Sequence, residues 1–205
     1  IRTFAHSDVI DLAKYGSIPV INGLTDLLHP CQVMADLLTG VEKFGSLKGR
    51  KLTYVGDGNN VLQSLMFGGA KLGMNVTCVC PPGYEPDAAI VAAAAEDGRA
   101  TGARMEVVND VAQGVAGADI LYTDVWASMG QEAEHAKRLK AFQGYQLNQS
   151  VVSMAKPEAI VMHCLPAHRG EEITDEVCDG PQSALWDEAE NRLHAQKAIL
   201  ALLMS

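Results

Sequence analysis

The sequence predicts an α/β fold: a parallel sheet with helices on both faces, in three layers. Three observations predict it. Short apolar segments with β-branched character recur along the chain, helical patterns lie between them, and the composition is that of an ordinary globular protein. Of the 205 residues, 48% are hydrophobic and 20% charged. A chain of this length buries a sizeable core.

Lys51 to Val55 reads as the first strand, ending at Gly56, with a helix from Leu62 to Leu72 behind it. Asn75 to Cys80 is the second strand, carrying Val76, Thr77 and Val79, and the alanine-rich stretch Asp87 to Asp97 is its helix. Met105 to Val108 is the third, followed by a short helix from Val111 to Ala116. Asp119 to Thr123 is the fourth, with a helix from Glu132 to Phe142. Ala159 to Cys164 is the fifth. Outside this unit, Ser7 to Tyr15 reads as a short helix. A long helix starts at His29-Pro30 and runs to about Phe44, with proline where no N–H is needed. Glu188 to Met204 reads as an amphipathic helix whose apolar stripe is Ala189, Leu193, Ala195, Ile199, Leu202 and Leu203.

The net charge of −9 disfavours nucleic acid as a partner, since a duplex binder needs a basic face. It leaves anionic small substrates open, because a local cluster of donors overrides the global sign. Cys31, Cys78, Cys80, Cys164 and Cys178 are odd in number, and Cys78 and Cys80 sit too close along one strand for an easy bridge. A reducing cytosol is the expected compartment. No apolar run approaches the roughly 18 residues of a membrane span, and Ile1 to His6 lack the apolar core of a signal peptide.

In a parallel sheet, ligands sit beyond the carboxyl ends of the strands. After the first strand comes Gly56-Asp57-Gly58-Asn59-Asn60. This is not a dinucleotide fingerprint, and a plain turn with capping Asp and Asn accounts for it. After the fourth comes Asp124 to Glu132. Asp124 is well placed to hold a cation, and Ser128 and Gly130 fit a mobile loop with a hydroxyl to offer; turn and cap bonds explain them about as well. After the fifth comes His163-Cys164-Leu165-Pro166-Ala167-His168-Arg169-Gly170. A zinc site is disfavoured, because neighbours on a strand point to opposite faces and no ligand-spacing pattern supplies the rest. Cys164 could be a nucleophile with His168 as base, or simply a small buried hydrophobe. At the start of the long helix, His29 and Gln32 can both donate to a carbonyl at an end that attracts negative charge, or can act only as a cap.

Together these stretches resemble a family. The motifs HPCQ at 29–32, DGNN at 57–60, DVWASMGQE at 124–132, FQGYQ at 142–146, HCLPAHRG at 163–170 and EAENR at 188–192 stand in the order seen in ornithine carbamoyltransferases, within the aspartate/ornithine carbamoyltransferase family. The resemblance implies transfer of a carbamoyl group from carbamoyl phosphate to the δ-amine of ornithine, giving citrulline and phosphate, without metal or organic cofactor. It implies that His29 and Gln32 polarise the carbamoyl carbonyl, that the backbone of Leu165 holds the carbamoyl amide, and that Arg192 reaches carbamoyl phosphate. Asn60, Asp124, Ser128 and Met129 would clamp ornithine, with Cys164 beside the reacting amine as a positioning group.

By the same resemblance, residues 1–45 are part of a carbamoyl-phosphate domain with a linking helix, 46–187 the ornithine-binding domain, and 188–205 a helix returning to the first domain. The family's Ser-x-Arg-Thr phosphate loop has no match before His29, so the chain is expected to correspond to the carboxyl two-thirds of the enzyme and to turn over poorly as it stands. A homotrimer is expected of the complete enzyme, in the cytoplasm or, in a eukaryote, the mitochondrial matrix, in arginine biosynthesis or urea-cycle chemistry. The rival readings are a carbamoyltransferase for another amine, such as putrescine, and a non-catalytic amino-acid-binding or assembly module.

Overall fold

The computed structural model describes residues 1–127, 130 and 132–204. Its frame is five parallel strands: β1 (Lys51–Val55), β2 (Asn75–Val79), β3 (Met105–Val108), β4 (Ile120–Thr123) and β5 (Ile160–His163). They lie in the order β3-β2-β1-β4-β5. The chain winds outward from β1 to β3, then returns to place β4 on the other side of β1. The order therefore reverses between β1 and β4, which opens a crevice at their carboxyl ends.

Helices cover both faces: α1 (His6–Tyr15), α2 (Pro30–Phe44), α3 (Asn60–Leu72), α4 (Ala88–Gly98), α5 (Val111–Val115), α6 (His135–Ala141), α7 (Gln149–Val152), α8 (Asp175–Cys178) and α9 (Leu185–Leu203). The two cores follow the strand alternation. Leu52, Tyr54, Val76, Cys78, Ile120, Tyr122 and Met162 pack on one face with α2 and α3. Val55, Val79, Leu121 and Val161 pack on the other with Val115, Val151, Val152 and Val177. Side-chain caps mark the starts of α3, α4, α5 and α7. Asp87 accepts from the Ala89 N–H at 2.7 Å, Asp110 from Gln113 at 2.7 Å and Asn148 from Val151 at 3.1 Å.

The expected strands and helices are present with end shifts of a few residues. α3 begins at Asn60 rather than Leu62 because Asn59 caps it, accepting from the N–H groups of Val61 and Leu62 at 3.1 Å each. The expected helix from Glu132 divides into a 3₁₀ turn (Glu132–Glu134) and α6. α7 and α8 were not predicted: four residues carry too little periodicity to read.

α9 requires a larger correction. It starts at Leu185, and its buried residues are Leu185, Glu188, Asn191 and Ala195. Of the expected apolar stripe, Ala195 is buried, while Leu193 is 68% and Leu202 77% exposed. The physical reason is a polar seam with α2. Asn191 donates to Thr39 Oγ1 at 2.9 Å and to Glu42 Oε2 at 2.7 Å, and Arg192 donates to Gln32 Oε1. Satisfied hydrogen bonds, not apolar area, set which side of α9 faces inward.

Candidate functional site

The carboxyl ends of β1, β4 and β5 open into a cleft of about 1050 Å³. Its strand-end wall comes from the loops after those strands. After β1, the 56–59 loop runs so close to the next segment that a Cβ on Gly58 would stand 2.2 Å from the Pro86 nitrogen. Only glycine fits there. Asp57 and Arg138 form an ion pair at 2.8 Å with both side chains nearly buried, and Arg138 also donates to the Trp126 carbonyl at 2.9 Å. This pair ties the β1 loop to α6 and to the segment after β4.

Asp124 follows β4 directly and is 6% exposed. One carboxylate oxygen accepts from Asn59 Nδ2 at 2.8 Å and the other from the Val125 N–H at 2.9 Å. Burial pushes its carboxyl above the ordinary carboxylate range, against those two hydrogen bonds. A buried carboxylate held this way is stabilised further by a ligand ammonium, which would favour its charged form.

After β5, His163 anchors the turn. Its Nδ1 accepts from the Leu165 N–H at 2.8 Å, so the ring proton sits on Nε2, which faces Glu172 Oε1 at 3.0 Å. Glu172 also accepts from the His168 N–H at 2.6 Å. The result is Leu165 at φ 56°, a left-handed conformation that a leucine rarely adopts, at the cleft wall beside Cys164. Burial drives the Cys164 thiol well above its ordinary range, so it is not a thiolate at neutral pH and does not fit a covalent nucleophile. Arg169 takes no part in the cleft. It is bound to Asp175 at 2.8 Å and to Asp179 at 2.5 and 3.0 Å.

The opposite wall is the start of α2 and the middle of α9. α3 docks it: Ser64 accepts from the His29 N–H at 2.8 Å, and Asn60 Nδ2 donates to the Thr25 carbonyl at 2.6 Å. His29 is 5% exposed, and its ring makes no cap bond. Burial, with the charges of Arg192 and Arg2, lowers its pKa to about 4, so the ring is neutral at pH 7. His29 Nδ1 and Arg192 Nε are buried with no hydrogen-bond partner. Both residues line the cleft. Such orphaned groups are costly unless a ligand engages them.

Behind this wall lies a buried acid pair. Gln32 Nε2 donates to Asp36 Oδ1 at 2.8 Å and to Glu188 Oε1 at 2.9 Å. Glu188 also accepts from the Tyr122 hydroxyl at 2.9 Å and, through its other oxygen, from the His163 N–H at 2.9 Å. Burial raises Asp36 to about 7 and Glu188 well above the carboxylate range, the latter further raised by the charge of Asp36. Two carboxyls this close and this buried do not both ionise at neutral pH.

Of the residues expected to act, His29, Asn60, Asp124, Cys164, Leu165 and Arg192 share this cleft. Ser128 and Met129 lie outside the described residues. Gln32 stands behind the lining residues, its amide bonded to Asp36, Glu188 and Arg192. Sequence reasoning took Asn59 for a cap alone; it both caps α3 and holds Asp124. Arg2, Asp57 and Arg138 also line the cleft. Asp57 lies in the DGNN stretch but was read only as a turn and capping residue, and nothing in the sequence neighbourhoods of Arg2 and Arg138 distinguishes them. Glu188 within EAENR was the one visible signal for the acid pair.

Comparison with known proteins gives one answer. The family described as aspartate/ornithine carbamoyltransferase, Asp/Orn binding domain, matches residues 48–203, and the companion carbamoyl-P binding domain of the same family matches residues 1–42. An ornithine carbamoyltransferase from Symbiobacterium thermophilum is 63% identical over 205 residues, covering 100% of this chain and 66% of its own length. One from Pyrococcus abyssi is 57% identical over 203 residues, covering 99% and 64%. The chain thus spans just under two thirds of these relatives. The crystal structure of ornithine carbamoyltransferase from Gloeobacter violaceus superposes with a TM-score of 0.93 at 56% identity, over 100% of this chain and 69% of that one. The Pyrococcus furiosus structure of the same name gives 0.95 at 56%, over 99% and 65%.

Proposed function

This chain belongs to the aspartate/ornithine carbamoyltransferase family, and we propose that its cleft carries the transfer of a carbamoyl group from carbamoyl phosphate to the δ-amine of L-ornithine, giving L-citrulline and phosphate. The observation that carries the proposal is the pairing of the two walls: Asp124, buried and held by Asn59, lines the same cleft as the neutral His29 and the cationic Arg192.

On the strand-end wall, Asp124 takes the α-ammonium of ornithine, with Asn60, Ser128 and Met129 completing the clamp and Cys164 beside the δ-amine as a neutral thiol. On the helix wall, Arg192 binds the anionic end of carbamoyl phosphate and neutral His29 hydrogen-bonds the carbamoyl group without adding a charge. The Leu165 backbone holds the carbamoyl amide. The neutral δ-amine attacks the carbonyl carbon, the C–O bond to phosphate breaks, and the proton lost by the amine nitrogen passes to the leaving phosphate. An aliphatic amine has a pKa near 10, so the site must select its neutral form and hold it in line, an orientation effect of up to about 7–11 kcal/mol. Gln32 acts through Arg192, which it holds by its carbonyl oxygen. A basic Arg2 at the cleft adds to the anion-binding side.

The proposal extends to division of the chain into 1–45 on the carbamoyl-phosphate side, 46–187 on the ornithine side and 188–205 as the returning helix. It also extends to a homotrimer in a reducing, cytoplasmic compartment, serving arginine biosynthesis. The five free thiols agree with that compartment. Among the described residues no helix is long and apolar enough to cross a membrane.

The test is a chimera in which residues 1–205 follow the amino-terminal third of the Symbiobacterium thermophilum enzyme. It is expected to form citrulline from ornithine and to be at least about a hundredfold less efficient with putrescine. The diamine offers Asp124 no α-ammonium, and an unpaired buried group costs about 1–3 kcal/mol or more. Equal use of both amines would reject the amino-acid assignment, and no turnover with either would reject the reaction.

A further inference from the structure

At the rim of the cleft, three side chains converge that the proposed chemistry does not use. His135 is the first residue of α6, and His168 and Glu171 belong to the loop after β5. His135 Nε2 lies 3.0 Å from Glu171 Oε2, and His168 Nδ1 lies 3.7 Å from the same oxygen. The two imidazole rings meet edge to face at 6.4 Å. One ligand atom from each residue falls within 4.8 Å of the other two.

We propose that His135, His168 and Glu171 form a binding site for a divalent transition-metal ion of the zinc type. The donor set is two imidazoles and one carboxylate, which suits zinc and its neighbours. Calcium and magnesium need mainly oxygen ligands. Zinc bonds of about 2.0–2.1 Å place neighbouring ligand atoms roughly 3.3 Å apart in a tetrahedron, and 3.0 and 3.7 Å bracket that spacing. The side chains are partly exposed, 41%, 47% and 29%, so an ion can enter and water can fill the fourth position.

The loop is already shaped for the site. The Glu171 N–H donates to the His168 carbonyl at 2.9 Å, and Gln146 Nε2 donates to the Glu171 carbonyl at 2.8 Å. Both bonds fix the turn that carries two of the ligands. Without metal, the same groups form surface pairs of little energetic weight. With metal, they cross-link the segment after β4 to the segment after β5, the two loops that border the cleft where His168 itself sits.

The test uses the 205-residue chain with Zn²⁺ in calorimetry and Co²⁺ in visible absorption. One ion per chain is expected, with tetrahedral Co²⁺ bands and a rise in unfolding temperature with metal. His135→Gln and His168→Gln keep a donor toward Glu171 and are expected each to weaken binding by at least about tenfold. Cys164→Ser is expected to leave metal binding unchanged. Absence of binding up to about a hundred times the affinity of free imidazole, binding untouched by either histidine change, or loss of binding in Cys164→Ser would overturn the proposal, the last by moving the ion to the cleft thiol.

Discussion

The two walls of the cleft are built in opposite ways. The strand-end wall rests on a mainly apolar sheet: Tyr54, Leu121, Tyr122 and Val161 are fully buried beneath it, and the polar groups that line the cleft there, among them Asp57, Asn59 and Asp124, follow the strand ends. The helix wall rests on polar groups. Arg192 is bonded to Gln32, which joins the buried Asp36 and Glu188, and one turn away the buried Asn191 bonds Thr39 and Glu42. A sheet core tolerates a change of side chain if volume is kept. A buried polar network fails when one member is removed, because the remaining donors and acceptors lose their partners.

The largest effect that tests this contrast is expected from Glu188→Ala. It leaves the Tyr122 hydroxyl and the His163 N–H without a partner and takes one of the two acceptors from the Gln32 Nε2 group. At about 1–3 kcal/mol for each buried unsatisfied group, partly relaxed, the loss is about 3–5 kcal/mol, which is roughly a 10 °C fall in unfolding temperature by calorimetry. A fall of only a degree or two would mean that the helix wall does not depend on its acid pair.

A smaller effect is expected from pH. Asp36 binds its proton more tightly in the fold, at about 7, than in the unfolded chain, where a carboxyl titrates near 3.8. The stability this confers is complete below about pH 4 and is lost as pH rises through 7. Unfolding temperature is therefore expected to fall between pH 5.5 and 8.5 by an amount equivalent to about 2 kcal/mol, or about 4–8 °C. Asp36→Asn, which cannot ionise, is expected to flatten that slope. An unchanged slope in the variant would assign the pH dependence elsewhere.

The same contrast explains what was legible beforehand. All five strands and their parallel arrangement were readable, because apolar strands announce themselves by local pattern; His29, Asp124 and Cys164 stood out at a helix start and at strand ends, while Asn60, Leu165 and Arg192 were named only by the family resemblance. The seam was not. α9 was expected to bury Leu193 and Leu202, yet it buries Glu188 and Asn191, whose partners Gln32, Thr39 and Tyr122 lie 66 to 156 residues away. Periodicity weighs hydrophobicity and cannot see a distant hydrogen bond. Asn59 was hidden for a related reason. A cap explained it fully at short range, and only the fold brings Asp124 to its other side.

The central claim is that each wall binds a different substrate. The most direct measurement is the steady-state kinetics of Asp124→Asn in the chimera, with each substrate varied in turn. Removing the charge that pairs with an ammonium in a buried site costs on the order of 3–5 kcal/mol. The account therefore predicts an about 10²- to 10³-fold loss in kcat/KM for ornithine, while the KM for carbamoyl phosphate stays within about threefold. A comparable rise in KM for both substrates would contradict it, showing that Asp124 supports the cleft as a whole and does not select the amino acid.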